Sequence, residues 1–187
     1  MGGKVKVDRI TGLLNEASYH SSPNQDERPV PCDIAGIVIH NISLPPGDFG
    51  GGWIDDLFLN KLDPTAHPYF KGIADVTISA HLLIRRDGVI IQYVPFHQRA
   101  WHAGKSSWDG RERCNDFTIG IELEGCDDQA FEAVQYQQLT ATIHALCRDY
   151  PKLNNHTIKG HQDIAPNRKT DPGPCFDWLY LRQLLAQ

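Results

Sequence analysis

The feature that most constrains the fold is a short apolar run at residues 35–39, Ala-Gly-Ile-Val-Ile, which ends directly at His40. A continuous apolar run of this length is typical of a strand that is buried on both faces of a sheet. Prolines and a glycine at positions 45–47 then indicate a loop. Because functional sites of α/β sheets tend to lie where strands end, His40 is a candidate site residue.

The segments that follow predict more strands and several helices. An Asp-Gly dipeptide at 87–88, between apolar runs at 77–84 and 89–94, is a strong signal for a β-hairpin. Further strands are predicted over 117–123 and 157–159. Helical spacing of apolar residues predicts helices over 53–62, 131–150 and 176–185.

These elements predict the α+β class, in an α/β-like arrangement with a central mixed β-sheet flanked by helices. The chain has 187 residues and no segment that resembles a linker, so we expect a single domain over residues 1–187. Residues 1–34 show little periodicity and are expected to form an irregular N-terminal arm that packs on this domain.

Composition and charge narrow the classes of partner. Acidic residues outnumber basic ones by 23 to 18, which argues against a nucleic-acid partner. No stretch approaches the about 20 apolar residues of a membrane span, and Met1–Asp8 lacks the apolar core of a signal peptide. Five cysteines without CxxC spacing indicate reduced thiols. We therefore expect a cytoplasmic protein with no nucleic-acid, membrane or obligatory protein partner.

The segment at 160–174, GHQDIAPNRKTDPGP, contains the residue types of a metal site. A catalytic zinc ion typically has three protein ligands and one open position, and His40, His161 and Asp171 would supply that number. Two imidazoles and one carboxylate leave the site with net positive charge, which favours activation of a water molecule. Lys169, close to Asp171, could hold an oxyanion. Spacing alone is a weak signal here, because the chain has nine histidines and no HExxH motif.

Other catalytic constellations remain open at this point. A cysteine–histidine hydrolase that uses Cys114 or Cys126 is one alternative. A serine triad of the α/β-hydrolase type is disfavoured, because no GxSxG motif occurs.

Six blocks of the sequence, in order between about Gly12 and Trp178, resemble a known family. They are similar to the AmpD amidases, cytosolic bacterial enzymes of the type-2 N-acetylmuramoyl-L-alanine amidase superfamily, which also includes the peptidoglycan-recognition proteins. The blocks are IVIHNISLPPGDFGG, HPYF, SAHLLIRRDG, RAWHAG, GRERCNDFTIGIELEG and GHQDIAPNRKTDPGPCFDW.

This resemblance implies the type-2 amidase fold and one Zn²⁺ per chain, bound by His40, His161 and Asp171. It implies Glu122 as the general base and Lys169 as the residue that stabilises the oxyanion. Glu122 should then lie on the same sheet face as His40. Glu124 shares that face and is the alternative base, displaced by about 7 Å along the strand.

The resemblance also implies a small-molecule muropeptide substrate. The bond cleaved would join the lactyl group of an anhydro-muramic acid to L-alanine of the stem peptide, in the recycling of cell-wall fragments that also removes signals for β-lactamase induction. The alternatives are a muropeptide-binding protein without activity and a secreted cell-wall amidase. The candidate substrate-binding residues are Asn41, Leu44, Trp101, Arg113 and Ala165.

One position departs from the wider superfamily. Many of its members have a catalytic tyrosine directly before the histidine of the hairpin strand, where this chain has Ala80 before His81. The AmpD branch shares that departure, which leaves the acid–base role to Glu122. His81 is accordingly expected to be a packing residue rather than a fourth ligand.

Overall fold

The computed structural model describes residues 5–187. Residues 1–4, part of the segment that argued against a signal peptide, lie outside the described residues. The strands are β1 (Val7–Asp8), β2 (Leu13–Leu14), β3 (Ser18–Tyr19), β4 (Gln25–Glu27), β5 (Gly36–Ile42), β6 (Leu82–Ile84), β7 (Ile90–Gln92), β8 (Gln98–Ala100), β9 (Ser107–Trp108), β10 (Arg111–Glu112), β11 (Thr118–Glu124) and β12 (Ile158–Gly160). The α-helices are α1 (Trp53–Phe58), α2 (Ala133–Asp149), α3 (His161–Ile164) and α4 (Trp178–Leu185), with 3₁₀ helices at Pro68–Gly72 and Cys114–Asp116.

A six-stranded mixed sheet organises the molecule, with strand order β12-β5-β11-β6-β7-β3. The first four of these strands are parallel to their neighbours, whereas β7 runs antiparallel to β6 and parallel to β3. The remaining strands form antiparallel pairs β1–β2, β4–β8 and β9–β10. The prediction of a central mixed sheet flanked by helices is confirmed.

Both faces of the central strands are covered. Ile37 and Ile39 of β5 and Ile119 of β11 pack with apolar residues of α2 and α4 in one core cluster. Val38 lies in a second cluster on the opposite face, together with residues from the segments around β9 and the Cys114–Asp116 helix. The continuous apolar run of β5 therefore has the burial on both faces that its sequence predicts.

Helix α1 is shorter than predicted. Its apolar spacing extends to Leu62, but the helix ends at Phe58. Asn60 has a φ of 57°, in the left-handed region that ends a helix. The helix therefore ends before an asparagine whose backbone conformation the apolar periodicity does not register.

The N-terminal arm differs from the irregular segment expected over residues 1–34. Its described residues form β1 to β4, of which β3 extends the main sheet and β4 pairs with β8. Each of these strands is two or three residues long, too short for an alternating pattern to be recognised. No helix among residues 5–187 is long and apolar enough to cross a membrane.

Candidate active site

His40 and Glu122 lie opposite each other on neighbouring strands. β5 and β11 pair in parallel, and Glu122 is in register with His40. Residues in register on neighbouring strands project from the same face of a sheet, so both side chains enter the same space. Both are buried, with 1% and 9% of their surface exposed. The sheet therefore places a histidine and a carboxylate side by side at the carboxyl ends of two strands.

His161 and Asp171 meet because a loop folds back on the start of α3. His161 is the first residue of this helix, directly after Gly160, which is in register with Ile39 of β5. The backbone N–H of Gln162 donates to the carbonyl oxygen of Asp171 at 2.9 Å, which holds the end of the loop against the helix. The sequence placed His161 in a loop; a four-residue helix carries too little periodicity to be predicted.

Three donor atoms converge at this point. His40 Nδ1 lies 3.0 Å from His161 Nδ1 and 2.9 Å from Asp171 Oδ2, and His161 Nδ1 lies 3.0 Å from the same carboxylate oxygen. Among the described residues they form a cluster suited to a metal ion. The residues that the sequence predicts as metal ligands are thus brought together, although 131 residues separate His40 from Asp171.

The position of the ring hydrogen of His161 fits a metal ligand. His161 Nε2 lies 3.1 Å from the carbonyl oxygen of Ala103, which can only accept a hydrogen bond. Nε2 therefore carries the hydrogen, and Nδ1 presents a lone pair to His40 and Asp171. Two imidazole nitrogens and one carboxylate oxygen are ligands that zinc accepts, so the residues present fit one such ion.

The pKa values of two candidate ligands, His40 and Asp171, both lie below their ordinary values, for different reasons. Burial lowers the pKa of His40 to about 4, which keeps its imidazole neutral at pH 7. Burial raises the pKa of Asp171, but the adjoining rings of His161 and His40 outweigh it and hold that pKa below its ordinary value. A neutral imidazole and an ionised carboxylate are the protonation states that bind a metal.

Glu122 has the environment of a proton carrier. Burial raises its pKa well above the ordinary value, nearby Asp171 adds to the increase, and Lys169 opposes it. Its Oε2 atom is buried without a hydrogen-bond partner among the described residues. An unpaired carboxylate oxygen at a cavity wall is free to bond a water molecule or a substrate group.

Glu124, the alternative base, is engaged elsewhere. Its Oε1 accepts from the backbone N–H of Gly50 at 2.6 Å, and its Oε2 accepts from that of Arg86 at 3.1 Å. It lies among the residues that anchor two loops, and it does not line the cavity that contains Glu122.

A cavity of about 350 Å³ contains the three candidate ligands and Glu122. Asn41, Trp101 and Lys169 also line it. The Asn41 amide donates to Asp127 Oδ1 at 2.7 Å, so part of its bonding capacity holds the loop. Leu44 was expected to line the groove as well, but it is 5% exposed and packs in an apolar cluster with residues of α1.

Arg113 and Ala165 line a different, neighbouring cavity of about 420 Å³. Arg168 lines both cavities and lies between them. The Arg113 side chain is exposed and forms an ion pair with Asp116 at 3.1 Å. These two candidate substrate-binding residues therefore lie beside the cluster of His40, His161 and Asp171 rather than within its cavity.

Hydrogen bonds engage both ring nitrogens of His81. His81 Nδ1 accepts from the backbone N–H of Gly120, and its Nε2 lies 3.1 Å from the carbonyl oxygen of Gln98. His81 is thus a packing residue, as expected.

Burial raises the pKa of both Cys114 and Cys126, which disfavours the reactive thiolate that a cysteine hydrolase needs. All five cysteines are free.

Two residues at the site were missed from the sequence. His102 Nδ1 lies 2.9 Å from His40 Nε2, and Arg168 donates to the carbonyl oxygens of Ala103 and Lys105 at 2.6 Å. Neither His102 nor Arg168 was among the candidate site residues predicted from the sequence. Both contacts are between distant segments, and the only available signal was their position inside the RAWHAG and GHQDIAPNRKTDPGP blocks.

Comparison with known proteins agrees with this geometry. The sequence profile of the N-acetylmuramoyl-L-alanine amidase family matches residues 30–174. The chain is 60% identical over 175 residues to 1,6-anhydro-N-acetylmuramyl-L-alanine amidase AmpD of Citrobacter freundii, with 94% of this chain and 93% of that protein covered.

Solved structures give the same relationship. The crystal structure of a selenomethionine AmpD derivative has a TM-score of 0.91 and 58% identity, covering 96% of this chain and 98% of that one. The amidase AmiD from E. coli, in complex with the substrate anhydro-N-acetylmuramic acid-L-Ala-D-γ-Glu-L-Lys, has a TM-score of 0.60 and 28% identity, covering 97% and 65%. With the matched profile, these similarities establish that the chain belongs to the N-acetylmuramoyl-L-alanine amidase family.

Proposed function

We propose that the chain is a single-domain, zinc-dependent amidase of bacterial cytoplasm that acts in muropeptide recycling. It hydrolyses the amide between the lactyl group of 1,6-anhydro-N-acetylmuramic acid and L-alanine of the stem peptide. The observation that carries this proposal is the convergence of His40, His161 and Asp171 beside the buried carboxylate of Glu122. The name of the AmpD relative and the substrate bound in the AmiD complex both specify an anhydro sugar, which supports the choice of substrate.

His40, His161 and Asp171 would hold one zinc ion. When bound, zinc lowers the pKa of a coordinated water molecule and polarises a carbonyl group. The hydrogen bond of His161 to the carbonyl oxygen of Ala103 keeps its ring oriented toward the other two candidate ligands.

Glu122 transfers the proton in this scheme. Its unpaired Oε2 accepts a proton from the attacking water and later donates it to the nitrogen of the leaving L-alanine. The raised pKa supports this double role, because a carboxylate that is too acidic would not hold the proton between the two steps.

Lys169 stabilises the charge that develops on the substrate carbonyl oxygen. Lys169 and Trp101 both line the cavity that contains Glu122 and the three candidate ligands. A fixed positive charge near a developing oxyanion lowers the barrier most where water is excluded.

The decisive experiment compares Glu122→Gln with Glu124→Gln. Glu122→Gln is expected to bind zinc like the native protein and to release L-alanyl peptide from anhydromuramyl tripeptide at least about 100-fold more slowly. Glu124→Gln is the matched control: it is expected to lose stability, because it holds Gly50 and Arg86, but to cleave at the native rate.

The same assay tests the alternatives. A zinc-loaded native protein that binds the tripeptide without cleaving it would be a muropeptide-binding protein. Faster cleavage of intact cell-wall sacculi than of the soluble anhydro fragment would instead indicate a cell-wall amidase. Unchanged turnover in Glu122→Gln would remove the proposed role of this residue.

A further inference from the structure

A series of hydrogen bonds begins at His40 Nε2, the ring nitrogen that does not face His161 and Asp171. His40 Nε2 lies 2.9 Å from His102 Nδ1. His102 Nε2 lies 3.2 Å from the Thr118 hydroxyl oxygen, and that hydroxyl donates to the carbonyl oxygen of Cys114 at 2.6 Å. This series of hydrogen bonds therefore ends on the carbonyl oxygen of Cys114, which has no hydrogen to donate.

The carbonyl oxygen of Cys114 is the last acceptor, and it determines the position of every hydrogen in this series of hydrogen bonds. The Thr118 hydroxyl has one hydrogen and gives it to Cys114, so its oxygen accepts from His102 Nε2–H. A neutral imidazole has one ring hydrogen, which leaves His102 Nδ1 as an acceptor for His40 Nε2–H. His40 Nδ1 is then without hydrogen and presents a lone pair to His161 and Asp171.

The backbone around His102 is shaped to hold this ring in place. A Cβ atom at Gly120 would lie 2.4 Å from His102 Cγ and 2.6 Å from His102 Nδ1, so the ring packs directly on the strand β11. Asn115 Oδ1 accepts from the backbone N–H groups of His102 and Ala103 at 3.1 and 2.7 Å. The ring is therefore fixed between the sheet and His40, with which its plane makes an angle of 85°.

We propose that His102 is a positioning residue for the metal site, which sets the tautomer and orientation of His40 through the hydrogen bond to Thr118. The proposal rests on the zinc-dependent function proposed above. Metal-binding histidines generally donate their second ring N–H to a carboxylate, a carbonyl or water, and loss of that partner typically costs about 10- to 100-fold in metal affinity. Here that partner is a second histidine, His102. The Thr118 hydroxyl holds His102 in turn, and this hydroxyl donates to the backbone carbonyl of Cys114.

Two matched pairs of variants test the proposal. Thr118→Val removes the hydroxyl at nearly constant shape, whereas Thr118→Ser retains it. His102→Leu removes the acceptor for His40, whereas in His102→Asn the amide oxygen can take the place of Nδ1. Zinc affinity, measured by competition with a chromophoric chelator, is expected to fall about 10- to 100-fold in Thr118→Val and His102→Leu. It is expected to stay within about threefold of native in Thr118→Ser and to recover largely in His102→Asn.

Two further readouts separate positioning from general packing. In metal-free protein with ¹⁵N-labelled histidine, NMR is expected to show His40 with its hydrogen on Nε2, and with a mixture of tautomers in Thr118→Val. The visible absorption bands of the cobalt-substituted protein are expected to shift in Thr118→Val and to remain native in Thr118→Ser.

The outcomes distinguish the two proposals. If native protein binds zinc and cleaves the substrate, but folded Thr118→Val and His102→Leu keep native zinc affinity, cobalt spectrum and His40 tautomer, the role of His102 is overturned and the proposed function stands. If the native protein takes up no zinc, both are overturned. Should His102→Leu fail to fold, the Thr118→Val and Thr118→Ser pair decides.

Discussion

At the scale of single residues, the partner of each polar atom decides its chemistry. Glu122 and Glu124 are two residues apart on one strand and project from the same face, yet their surroundings differ. Backbone N–H groups occupy both oxygens of Glu124, whereas one oxygen of Glu122 is buried and unpaired. Hydrogen bonding, rather than position along the strand, makes Glu122 the candidate base.

Replacement of Lys169 tests the proposed oxyanion role. Lys169→Met is expected to lower kcat by about 100-fold, the usual cost of removing one group that stabilises an oxyanion. Zinc content should change little, because Lys169 is not among the three ligand residues. Lys61→Met, at an exposed position outside the cavity, is the control and should retain native kinetics. Equal loss of zinc and activity in Lys169→Met would contradict the assignment.

At the scale of elements, a half-buried carboxylate joins α1 to the hairpin of β6 and β7. Asp55 accepts hydrogen bonds from Tyr93 Oη and Arg85 Nη2, each at 2.7 Å, and lies 2.9 Å from His20 Nδ1. Burial raises the pKa of Asp55, but these contacts outweigh it, so the pKa lies below its ordinary value of 3.8. The ionised carboxylate is therefore favoured by the folded state.

This arrangement predicts a pH-dependent contribution to stability. Because the folded pKa is lower than the unfolded one, the contribution is present above pH 3.8 and is lost as the pH falls below it. Asp55→Asn is expected to lower the free energy of unfolding by about 2 kcal/mol at pH 7. Urea denaturation at pH 7, 5 and about 3 should show the difference from native protein narrowing only at the lowest pH. A difference that is constant with pH would contradict the ionic origin.

At the scale of the whole molecule, one buried arginine ties the N-terminal arm to the elements around the site. Arg28 is 4% exposed and donates to the carbonyl oxygens of Phe96, Asn115, Asp116 and Thr118, with distances between 3.0 and 3.2 Å. Thr118 and Asn115 belong to the segments that hold His102. The arm thus supports the segments that hold His102.

Loss of this guanidinium should destabilise the entire fold. Arg28→Met leaves several buried carbonyl oxygens without donors and is expected to cost about 3 kcal/mol in the free energy of unfolding. Arg9→Met is the control, because Arg9 is 71% exposed at its side chain and its ion pair with Asp149 should contribute less than about 1 kcal/mol. Similar unfolding midpoints in urea for the two variants would contradict the structural role of Arg28.

Metal removal should also be visible at this scale. The three candidate ligands come from β5, the start of α3 and the loop that contains Asp171, so an ion bound there would connect segments that are distant in sequence. A chelator is expected to lower the melting temperature by about 10 °C, since a ligand at 1,000 times its Kd adds about 4 kcal/mol. Asp171→Asn should melt at nearly the same temperature with or without chelator. A native protein insensitive to chelator would argue against a tightly bound ion.

The elements that could be predicted from sequence are those whose local pattern matches their environment. The apolar run of β5, the alternation in β11 and the periodicity of α2 are long enough to register. Strands of two or three residues, such as β3 and β9, carry no such pattern, and their pairing is decided by partners elsewhere. The end of α1 depends on the backbone conformation of Asn60, which few sequence rules capture.

For the site, the sequence alone determined which chemical groups were available. His40 at the end of a buried strand, Glu122 in an alternating strand and the His161 to Asp171 segment were all recognisable, by pattern or by resemblance. Only the tertiary structure decided which atoms face one another, which carboxylate oxygen is unpaired and that His102 lies behind His40. The physical reason is that burial and hydrogen-bond partners set protonation, and both come from segments far apart in the chain.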